Sequence, residues 1–315
     1  MADPISEPEP ESVTVRVPGK INLSLRSGPR RADGYHSLAT VFQAVSVFDE
    51  LRATDAPPGV FRVRVAGDQA ENVPRGDDNL AVRAARMVAS ALPGSGYGCE
   101  LMIRKAIPVT GGMAGGSADA AAALLACSRL WGADLDQDDL AMLGAQLGAD
   151  VPFCLVGGTA LGIDRGDRLT PVLCRGTYHW VLALSERGLG TPEVFARLDE
   201  LRGQASGPPP DGEPAEVGAP LLNALAVGDV AALGKALAND LEPAALSLMP
   251  GLRDVIEAGM DSGALGHVVS GSGPTVAFLV RSESAAVGLA ARLTGLGLGR
   301  SVQCATGPVP GARVV

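Results

Sequence analysis

Lysine is nearly absent from this 315-residue sequence, which contains only Lys20, Lys105 and Lys235. None of the three is followed by Ser or Thr, so the phosphate-binding pattern G-x-x-x-x-G-K-[ST] is excluded. No complete G-x-G-x-x-G occurs either, which excludes the Rossmann fingerprint at the same level. If the protein binds a nucleotide, a different glycine-rich loop must hold it.

Cysteine and histidine are also scarce and widely spaced. The five cysteines form no CxxC pair, and the three histidines form no HExxH or similar zinc-binding spacing. These spacings count against a zinc site and against a disulfide framework. We expect most of the cysteines to be small core residues in a reducing compartment. They are Cys99, Cys127, Cys154, Cys174 and Cys304.

Long hydrophobic runs and an excess of positive charge are missing too. The most apolar stretch, 120–126, is too short to cross a bilayer, and the leader at 1–12 is acidic, unlike a signal peptide. The 26 basic and 35 acidic residues give a net charge of −9, which counts against nucleic-acid binding. We expect a cytoplasmic protein with no membrane or nucleic-acid partner, a monomer or weak homodimer, in which a few local cations hold any anionic ligand.

The residues that are present indicate an α+β protein with two lobes. Hydrophobic residues make up 46% of the chain, which is enough for a proper core. We place a flexible leader at 1–12, an N-terminal domain at 13–165 and a C-terminal domain at 166–315. The Pro/Gly-rich segment 203–220 is expected to be a mobile loop within the second domain; the alternative is a domain linker.

Hydrophobic periodicity and turn residues predict the individual elements. Predicted strands cover 13–25 (possibly broken at Pro18-Gly19), 59–67 and 99–109, with a turn over 28–42. Predicted helices cover 77–92, capped by Asp77 or Asp78, then about Ser117 to Trp131, and 136–148. Further on, 158–172 is predicted as a hairpin and 267–280 as two strands joined by a glycine-rich turn.

The stretch GGMAGGSADAAAALL, residues 111–125, joins four glycines to a run of helix formers directly after a predicted strand. Glycines let a backbone approach a ligand, and the free N–H groups of a helix N-terminus attract anions, so this order favours a phosphate-binding loop. The structural alternative has glycines for tight packing and Ser117 as the helix N-cap. Two roles are also possible for Asp119. It either stabilises the helix through its charge near the positive end of the helix dipole, or it helps to hold Mg²⁺.

A polar group stands out in the segments PGKINLSL and RRADGYH. It consists of Lys20, Asn22, Arg30, Arg31, Tyr35 and His36. Taken singly, each is more often a solvated strand or turn residue than a ligand-binding one. Taken together, they form the strongest polar constellation in an acidic chain.

Two more segments carry candidate chemistry. Asp150 in LGADVPF follows a helix stop, so it is either a turn or cap residue or a carboxylate placed to accept a hydroxyl proton. In SGSGPTVAF, residues 270–273 are either a hairpin turn alone or part of the site.

In this order the segments resemble the GHMP kinase superfamily. PGKINLSL…GPRRADGYHSL resembles PAKINL…GRRxDGYHxL, the element that distinguishes the kinases acting on 4-diphosphocytidyl-2-C-methyl-D-erythritol from other members. IPVTGGMAGGSADAAAAL resembles their phosphate loop IPxGAGLGGGSSDAAA, and LGADVPF, GSGPTVAF and NDLEP (239–243) also match. The resemblance covers about Val15 to Ala305.

The resemblance implies a two-lobed fold in which an ATP-binding lobe packs on a second α/β lobe, with the active site in the cleft between them. It implies ATP-dependent phosphorylation of the 2-hydroxyl of 4-diphosphocytidyl-2-C-methyl-D-erythritol, a step of non-mevalonate isoprenoid biosynthesis. ATP and Mg²⁺ are the implied cofactors, and the cytidine diphosphate compound is the implied small-molecule partner.

By matching position, the resemblance implies that Asp150 is the catalytic base and that Lys20 orients and polarises the reacting groups. Asn22, Tyr35 and His36 would line the substrate side, with His36 recognising the cytosine. Thr191 and Phe195 in GTPEVF match TPxxF and would place an aromatic ring on the other face of the base. The implied ATP-binding residues are Asn79, Lys105, Pro108, Gly111, Gly112, Met113, Ala114, Gly115, Gly116, Ser117 and Ala118, with Ser117 also a metal ligand.

Three positions depart from the family pattern. Thr110 and Ala114 stand where glycine is usual, and Ala118 replaces a second serine.

Two other functions are possible for the chain: a GHMP kinase of the homoserine, mevalonate or galactose type, and a nucleotide-binding regulator that has lost catalysis. DGYH and TPEVF count against the first, and the presence of both Lys20 and Asp150 counts against the second.

Overall fold

The structure is a computed structural model that describes residues 11–31, 34–94, 96–133, 135–204 and 216–315. Within these residues the chain forms two β-sheets with helices packed against them, which confirms the α+β class. Nearly all of the predicted flexible leader, and most of the predicted mobile loop at 203–220, lie outside the described residues.

Runs of strands and runs of helices follow one another along the chain. The strands are β1 (Ser12–Arg30), β2 (His36–Asp55), β3 (Phe61–Gly67), β4 (Cys99–Lys105), β5 (Thr159–Asp164), β6 (Arg168–Pro171), β7 (Tyr178–Leu184), β8 (Ala238–Asn239), β9 (Gly266–Val269), β10 (Val276–Val280), β11 (Ser301–Gly307) and β12 (Arg313–Val314). The helices are α1 (Leu80–Ala91), α2 (Gly115–Leu130), α3 (Gln137–Leu147), α4 (Val151–Val156), α5 (Thr191–Gln204), α6 (Ala219–Val227), α7 (Val230–Ala236), α8 (Glu242–Leu248), α9 (Leu252–Asp261) and α10 (Glu283–Gly295).

The larger sheet is built around the long strands β1 and β2. Its order is β12-β1-β2-β4-β3, and β5 pairs with the first half of β2 while β4 pairs with the second half. The register of β1 shifts between Pro18 and Gly19, which confirms the predicted break and places Lys20 just after the irregularity. The smaller sheet is antiparallel in the order β11-β7-β10-β9.

Helix α2 is buried on almost every side. Ala120, Ala121, Ala122 and Ala123 have no exposed surface, and the helix contacts α1, α3, α4 and strands β1 and β2. Alanine allows neighbouring elements to approach the helix closely without losing helix propensity. The helix begins at Gly115, two residues before its predicted start, so Ser117 as N-cap is wrong.

Two other sequence predictions need correction. The segment 28–42 is not one long turn, because β1 continues to Arg30 and β2 begins at His36. Alternating side chains from His36 onward pack against buried neighbours, and that packing favours strand over turn. Helix α1 is capped by Asn79, not by Asp77 or Asp78. The Asn79 side chain accepts hydrogen bonds from the backbone N–H groups of Ala81 and Val82.

The predicted domain boundary near residue 165 falls in the turn of the β5–β6 hairpin, where a hairpin was predicted. Strands β8 and β12 from the second half of the chain also pair with β1 in the larger sheet. The division at 165 stays a prediction. Among the described residues no helix combines the length and apolarity needed to cross a membrane.

Candidate active site

A cleft brings most of the predicted site residues together. Its lining includes Lys20, Asn22, Gly111, Gly112, Gly115, Gly116, Ser117, Asp150, Thr191 and Ser272. This transfer cavity has a volume of about 570 Å³. It adjoins a second cavity of about 630 Å³, the aromatic cavity, which Tyr35 and His36 line. Thr191 and Phe195 line both, so the two cavities form one continuous site.

Lys20 is a buried cation in the transfer cavity, with only 4% of the residue exposed. Its Nζ donates to Asn22 Oδ1 at 2.7 Å and to the Gly112 carbonyl oxygen at 3.0 Å. A carboxylate oxygen of Asp150 lies 3.6 Å from the same nitrogen. Burying a charge is unfavourable unless it is paired and hydrogen-bonded, and these oxygens meet that condition. The ammonium group is therefore fixed where the glycine loop and Asp150 meet.

Asn22 is held in one orientation by the residue beyond it. Its Nδ2 donates to Thr40 Oγ1 at 2.8 Å, and the Thr40 hydroxyl donates to the Ser24 carbonyl at 2.7 Å. Because the hydroxyl proton is already used, Thr40 accepts from the amide, and Asn22 must present its oxygen to Lys20. Thr40 is thus a supporting residue that the sequence did not mark.

Asp150 is not a helix-capping side chain. It occupies the N-cap position of α4 but makes no side-chain capping bond, and Pro152 stands in the first turn. The carboxylate is 32% exposed to the cleft and faces Lys20. Asp150 thus stands in a turn and at the N-cap position, as the structural alternative held, but its side chain makes no capping bond and is available to a ligand.

Gly112 joins the phosphate loop to the second half of the chain. Its φ is +76°, and a Cβ at this position would lie 1.9 Å from the Ser270 carbonyl oxygen, so only glycine fits. Its own carbonyl accepts from Lys20 and from Ser270 Oγ, each at 3.0 Å. Asn239 of NDLEP donates to the Val269 and Gly271 carbonyls at 2.6 and 2.7 Å. The SGSG turn is therefore more than a hairpin connection, because it supports the phosphate loop.

Two of the residues that depart from the family pattern in the phosphate loop adopt a backbone conformation that favours glycine. Thr110 has φ 52° and Ala114 has φ 61°, in the left-handed region that favours glycine. The glycines usual at these positions thus suit the backbone better than the residues present here. The third departure, Ala118, is fully buried in α2, whereas Ser117 lines the transfer cavity.

We predict that Ala114→Gly stabilises the protein. Left-handed backbone costs a non-glycine residue about 1–2 kcal/mol, while glycine adds roughly 0.5–1 kcal/mol of unfolded-state entropy, which leaves a gain of about 0.5–1 kcal/mol. Urea unfolding measures the difference. The control is Ala91→Gly, the same change in the helical backbone of α1, which should destabilise. Equal destabilisation by both changes would contradict the account.

Lys105 lies behind the phosphate loop, not in the transfer cavity. Its Nζ is bonded to Asp49, to Asp119 at 2.8 Å and to the Gly115 carbonyl oxygen at 3.3 Å. Asp49 also accepts from the two backbone N–H groups that directly follow Lys105, at 2.6 and 2.9 Å. The cluster of Asp49, Lys105 and Asp119 therefore holds the loop's first residues and its helical end in fixed relation.

This cluster contains two carboxylates and one ammonium away from water. Burial raises the pKa of Asp119 to about 8; Lys105 opposes this shift and Asp49 adds to it. Burial alone lowers the pKa of Lys105, but the carboxylates of Asp119 and Asp49 outweigh it and raise that pKa overall. Lys105 thus keeps its charge, and the raised pKa of Asp119 favours the protonated form of this carboxyl over that of an exposed one. Asp119 Oδ1 has no hydrogen-bond partner within the described part of the chain, as expected for a site with one acidic group too many.

The raised pKa of Asp119 predicts a pH dependence of stability. The folded protein binds this proton more tightly than the unfolded chain, so the stabilisation is complete below the unfolded pKa of 3.8 and is lost as pH rises through about 8. One proton corresponds to a slope of about 1.4 kcal/mol per pH unit. In Asp119→Asn, which mimics the neutral acid, this contribution disappears. Urea unfolding at several pH values without ligands should show that the free energy of unfolding of the variant rises relative to that of wild type as pH rises. Free energies of unfolding that depend on pH in the same way in both proteins would contradict the pKa shift.

Among the residues that α5 presents to the aromatic cavity, three follow one another at four-residue steps: Thr191, Phe195 and Asp199. Phe195 stacks directly on His36, with ring centroids 4.8 Å apart and planes inclined by 23°. Asp199 Oδ1 lies 2.9 Å from His36 Nε2, and Thr191 Oγ1 lies 3.0 Å from Ser272 Oγ. The structure therefore brings His36, Thr191 and Phe195 together, as the sequence predicted.

Some predicted ATP-binding residues do not line the transfer cavity. Besides Lys105, these are Asn79, Met113 and Ala118. Asn79 caps α1, while Met113 and Ala118 are fully buried. Pro108 and the loop glycines do line the cavity. The ATP-binding roles of all these residues stay predictions.

Four residues of the site escaped the sequence analysis: Thr40, Asp49, Arg165 and Asp199. Arg165 lines both cavities and is paired with Asp167 in the β5–β6 turn. Asp199 follows Phe195 by one helical turn, so helix spacing was a usable signal for it. The other three come from distant strands and turns, where no local pattern marks them.

The residues of the cleft fit a Mg²⁺ ion that takes few ligands from the protein. No group of three or more His, Cys, Asp or Glu side chains is arranged to hold a metal in the described ranges. In phosphoryl-transfer sites Mg²⁺ keeps water and phosphate oxygens and takes only one or two protein ligands. The Ser117 hydroxyl lines the cavity and suits that role.

Comparison with known proteins agrees with this geometry. Residues 79–158 match the GHMP kinases N terminal domain, and residues 221–299 match the GHMP kinases C terminal family. A crystal structure of 4-(cytidine 5'-diphospho)-2C-methyl-D-erythritol kinase superposes with a TM-score of 0.74 at 32% identity, covering 93% of this chain and 98% of that one. Homoserine kinase from Cytophaga hutchinsonii, at 21% identity and TM-score 0.73 over 99% of this chain and 100% of its own, shares the fold. Fold and site together define a small-molecule kinase of the GHMP class.

Relatives in sequence narrow this class. The 4-diphosphocytidyl-2-C-methyl-D-erythritol kinase of Nocardia farcinica is 53% identical over 306 residues, covering 97% of both chains. That of Mycobacterium tuberculosis is 51% identical over 304 residues, covering 96% of this chain and 93% of its own. The chain belongs to the GHMP kinase family, in its group of 4-diphosphocytidyl-2-C-methyl-D-erythritol kinases.

Proposed function

We propose that the protein transfers the γ-phosphoryl group of ATP to the 2-hydroxyl of 4-diphosphocytidyl-2-C-methyl-D-erythritol, giving the 2-phosphate and ADP. The reaction belongs to non-mevalonate isoprenoid precursor biosynthesis and takes place in the cytoplasm. One observation carries the proposal: a single site joins a Lys20–Asp150 pair and a glycine loop to an aromatic cavity that contains His36.

Asp150 acts as the general base in this proposal. Its carboxylate is accessible from the cleft, makes no capping bond and is held near a cation, so it accepts the hydroxyl proton as the new O–P bond forms. Lys20 stabilises the negative charge that develops on the transferred group. Its position is set in advance by Asn22 and Gly112, so little reorganisation is needed during the reaction.

The phosphate loop holds the ATP phosphates through backbone N–H groups. The sixteen-residue helix α2 begins in the loop, and its N-terminus favours anions at this point. The cluster of Asp49, Lys105 and Asp119 keeps the loop in place from behind through the contacts of Lys105 Nζ with both carboxylates and with the Gly115 carbonyl. Mg²⁺, held by the Ser117 hydroxyl, water and phosphate oxygens, would neutralise charge on the phosphates and would leave the Asp150 carboxylate to act as the base.

The aromatic cavity takes the cytidine end of the substrate, with Tyr35, His36 and Phe195 around the base. The diphosphate of the substrate must then cross the junction between the two cavities. Arg165 lines both cavities at that junction and is a cation, which suits a diphosphate group. The 2-hydroxyl thereby reaches Lys20 and Asp150 at the far end of the cleft.

A substrate comparison tests the proposal. ADP release is followed with ATP and each of three acceptors: 4-diphosphocytidyl-2-C-methyl-D-erythritol, mevalonate and homoserine. We expect kcat/KM for the cytidine compound to exceed the other two by at least about 10³-fold, because they lack the base that the aromatic cavity binds. Preference for mevalonate or homoserine would indicate another GHMP kinase. ATP binding without ADP release from any acceptor would indicate a regulator.

A further inference from the structure

His36 is fixed in the aromatic cavity by two residues of α5, and only one of them is hydrophobic. Phe195 stacks on the ring and sets its plane. Asp199, one helical turn further on, sets the rotation of the ring within that plane through the 2.9 Å contact to Nε2. His36 itself is 7% exposed, so the ring has little freedom to adopt another orientation.

A carboxylate bound to one ring nitrogen also determines which nitrogen carries the proton. An ionised carboxylate only accepts hydrogen bonds, so Nε2 must donate to Asp199. In a neutral imidazole the other nitrogen, Nδ1, then has a free lone pair and acts as an acceptor. Among the described residues, the hydrogen bond of the His36 ring is the one at Nε2. In that neutral form the ring offers an acceptor, not a donor, at Nδ1, and His36 lines the aromatic cavity.

The two common pyrimidines differ in the group that would meet such an acceptor. Cytosine carries a 4-amino group, which donates, whereas uracil carries a 4-keto oxygen, which only accepts. A buried acceptor paired with another acceptor loses a hydrogen bond and leaves both groups desolvated, so sites of this kind reject the wrong partner strongly.

We propose that Asp199 is a positioning residue that holds His36 with Nε2 protonated, so that the site selects 4-amino over 4-keto pyrimidine nucleoside diphosphates. This inference rests on the proposed function, which places the pyrimidine in the aromatic cavity. It goes beyond it by assigning the selectivity to a carboxylate that acts through the histidine ring.

The test combines a tautomer measurement with a binding comparison. Long-range proton–nitrogen NMR spectra report the protonation of each imidazole nitrogen, and the chain has only three histidines, so His36→Gln identifies the His36 signals. Calorimetry with CDP and UDP gives the ratio of their dissociation constants. The variants are Asp199→Ala and, as a shape-preserving alternative, Asp199→Asn. Glu200→Ala is the control, because that exposed neighbour pairs with Arg197 outside the cavity.

In wild type we expect Nε2 of His36 to be protonated, Nδ1 to be unprotonated and CDP to bind about 10–100-fold more tightly than UDP. Both Asp199 variants should show a mixture of tautomers and a preference reduced to within roughly threefold, whereas Glu200→Ala should match wild type. A role in packing alone would weaken both nucleotides equally and leave the ratio unchanged.

Protonated Nδ1 in wild type, or an unchanged CDP-to-UDP ratio in both Asp199 variants, would overturn the inference. Turnover of the cytidine substrate by the wild type is measured in parallel and reports on the proposed function separately. Normal turnover with an unchanged ratio would overturn only the role of Asp199. Absent turnover with the expected loss of CDP preference would overturn the reaction and support the role of Asp199.

Discussion

Asp150→Asn is expected to lower kcat by roughly 10³-fold, within the 10²–10⁴-fold range of general base catalysis. Asparagine has nearly the same shape but cannot take the hydroxyl proton. Asp150 makes no capping bond in α4 and is 32% exposed, so its replacement should leave the fold intact. The loss should therefore appear in kcat, with the KM for the cytidine substrate changed far less.

Steady-state kinetics and urea unfolding of the same preparations test this expectation. Asp138→Asn is the control, since Asp138 is exposed in the first turn of α3 and does not line the cavity. We expect the control to match wild type in both assays. A kcat for Asp150→Asn within about threefold of wild type would remove Asp150 from the role of base.

Lys20→Met is expected to lower kcat by about 10²–10³-fold, the usual loss when one charge-stabilising donor is removed. Methionine keeps most of the side-chain volume but not the ammonium group. The variant leaves Asn22 Oδ1 without the Lys20 donor and the Gly112 carbonyl with Ser270 Oγ alone, so a loss of roughly 1–3 kcal/mol in stability should accompany the lost rate.

The scarcity of lysine supplies a clean control for this variant. Lys235→Met removes an exposed lysine at the end of α7, far in sequence from the loop, and should change neither rate nor stability by more than a small amount. Kinetic assays are run well below the unfolding temperature of each variant, so that the measured rate belongs to folded protein. Turnover of Lys20→Met close to wild type would show that Lys20 only supports the structure.

Much of the fold was accessible from local sequence patterns. Alternating residues predicted β3 and β4, glycine predicted the end of α3, and the Pro18-Gly19 pair predicted the irregularity in β1. The turn predicted over 28–42 failed because this segment pairs with β1 on one side and with β5 on the other, and β5 lies more than a hundred residues away in the sequence.

Some residues of the site could likewise be predicted from local sequence, and others could not. Asp150, His36 and the glycine loop lie in short segments whose residue types suggested their chemistry. By contrast, Thr40 and Asp49 act by holding other side chains, and only the tertiary fold brings them into contact. A buried carboxylate such as Asp119 shows the limit well: its sequence position suggested a helix dipole or a metal, and its actual partner is Lys105.

Phosphorus NMR of the products formed from ATP and 4-diphosphocytidyl-2-C-methyl-D-erythritol tests the central claim most directly. We expect one new phosphomonoester for each ADP formed, on a substrate whose diphosphate signals remain. Its phosphorus signal should lack three-bond proton coupling, because the carbon that bears the 2-hydroxyl carries no hydrogen, whereas a phosphate on a neighbouring primary or secondary hydroxyl would show that coupling. Formation of inorganic phosphate with ADP and no phosphomonoester, or a phosphomonoester at another hydroxyl, would contradict the central claim.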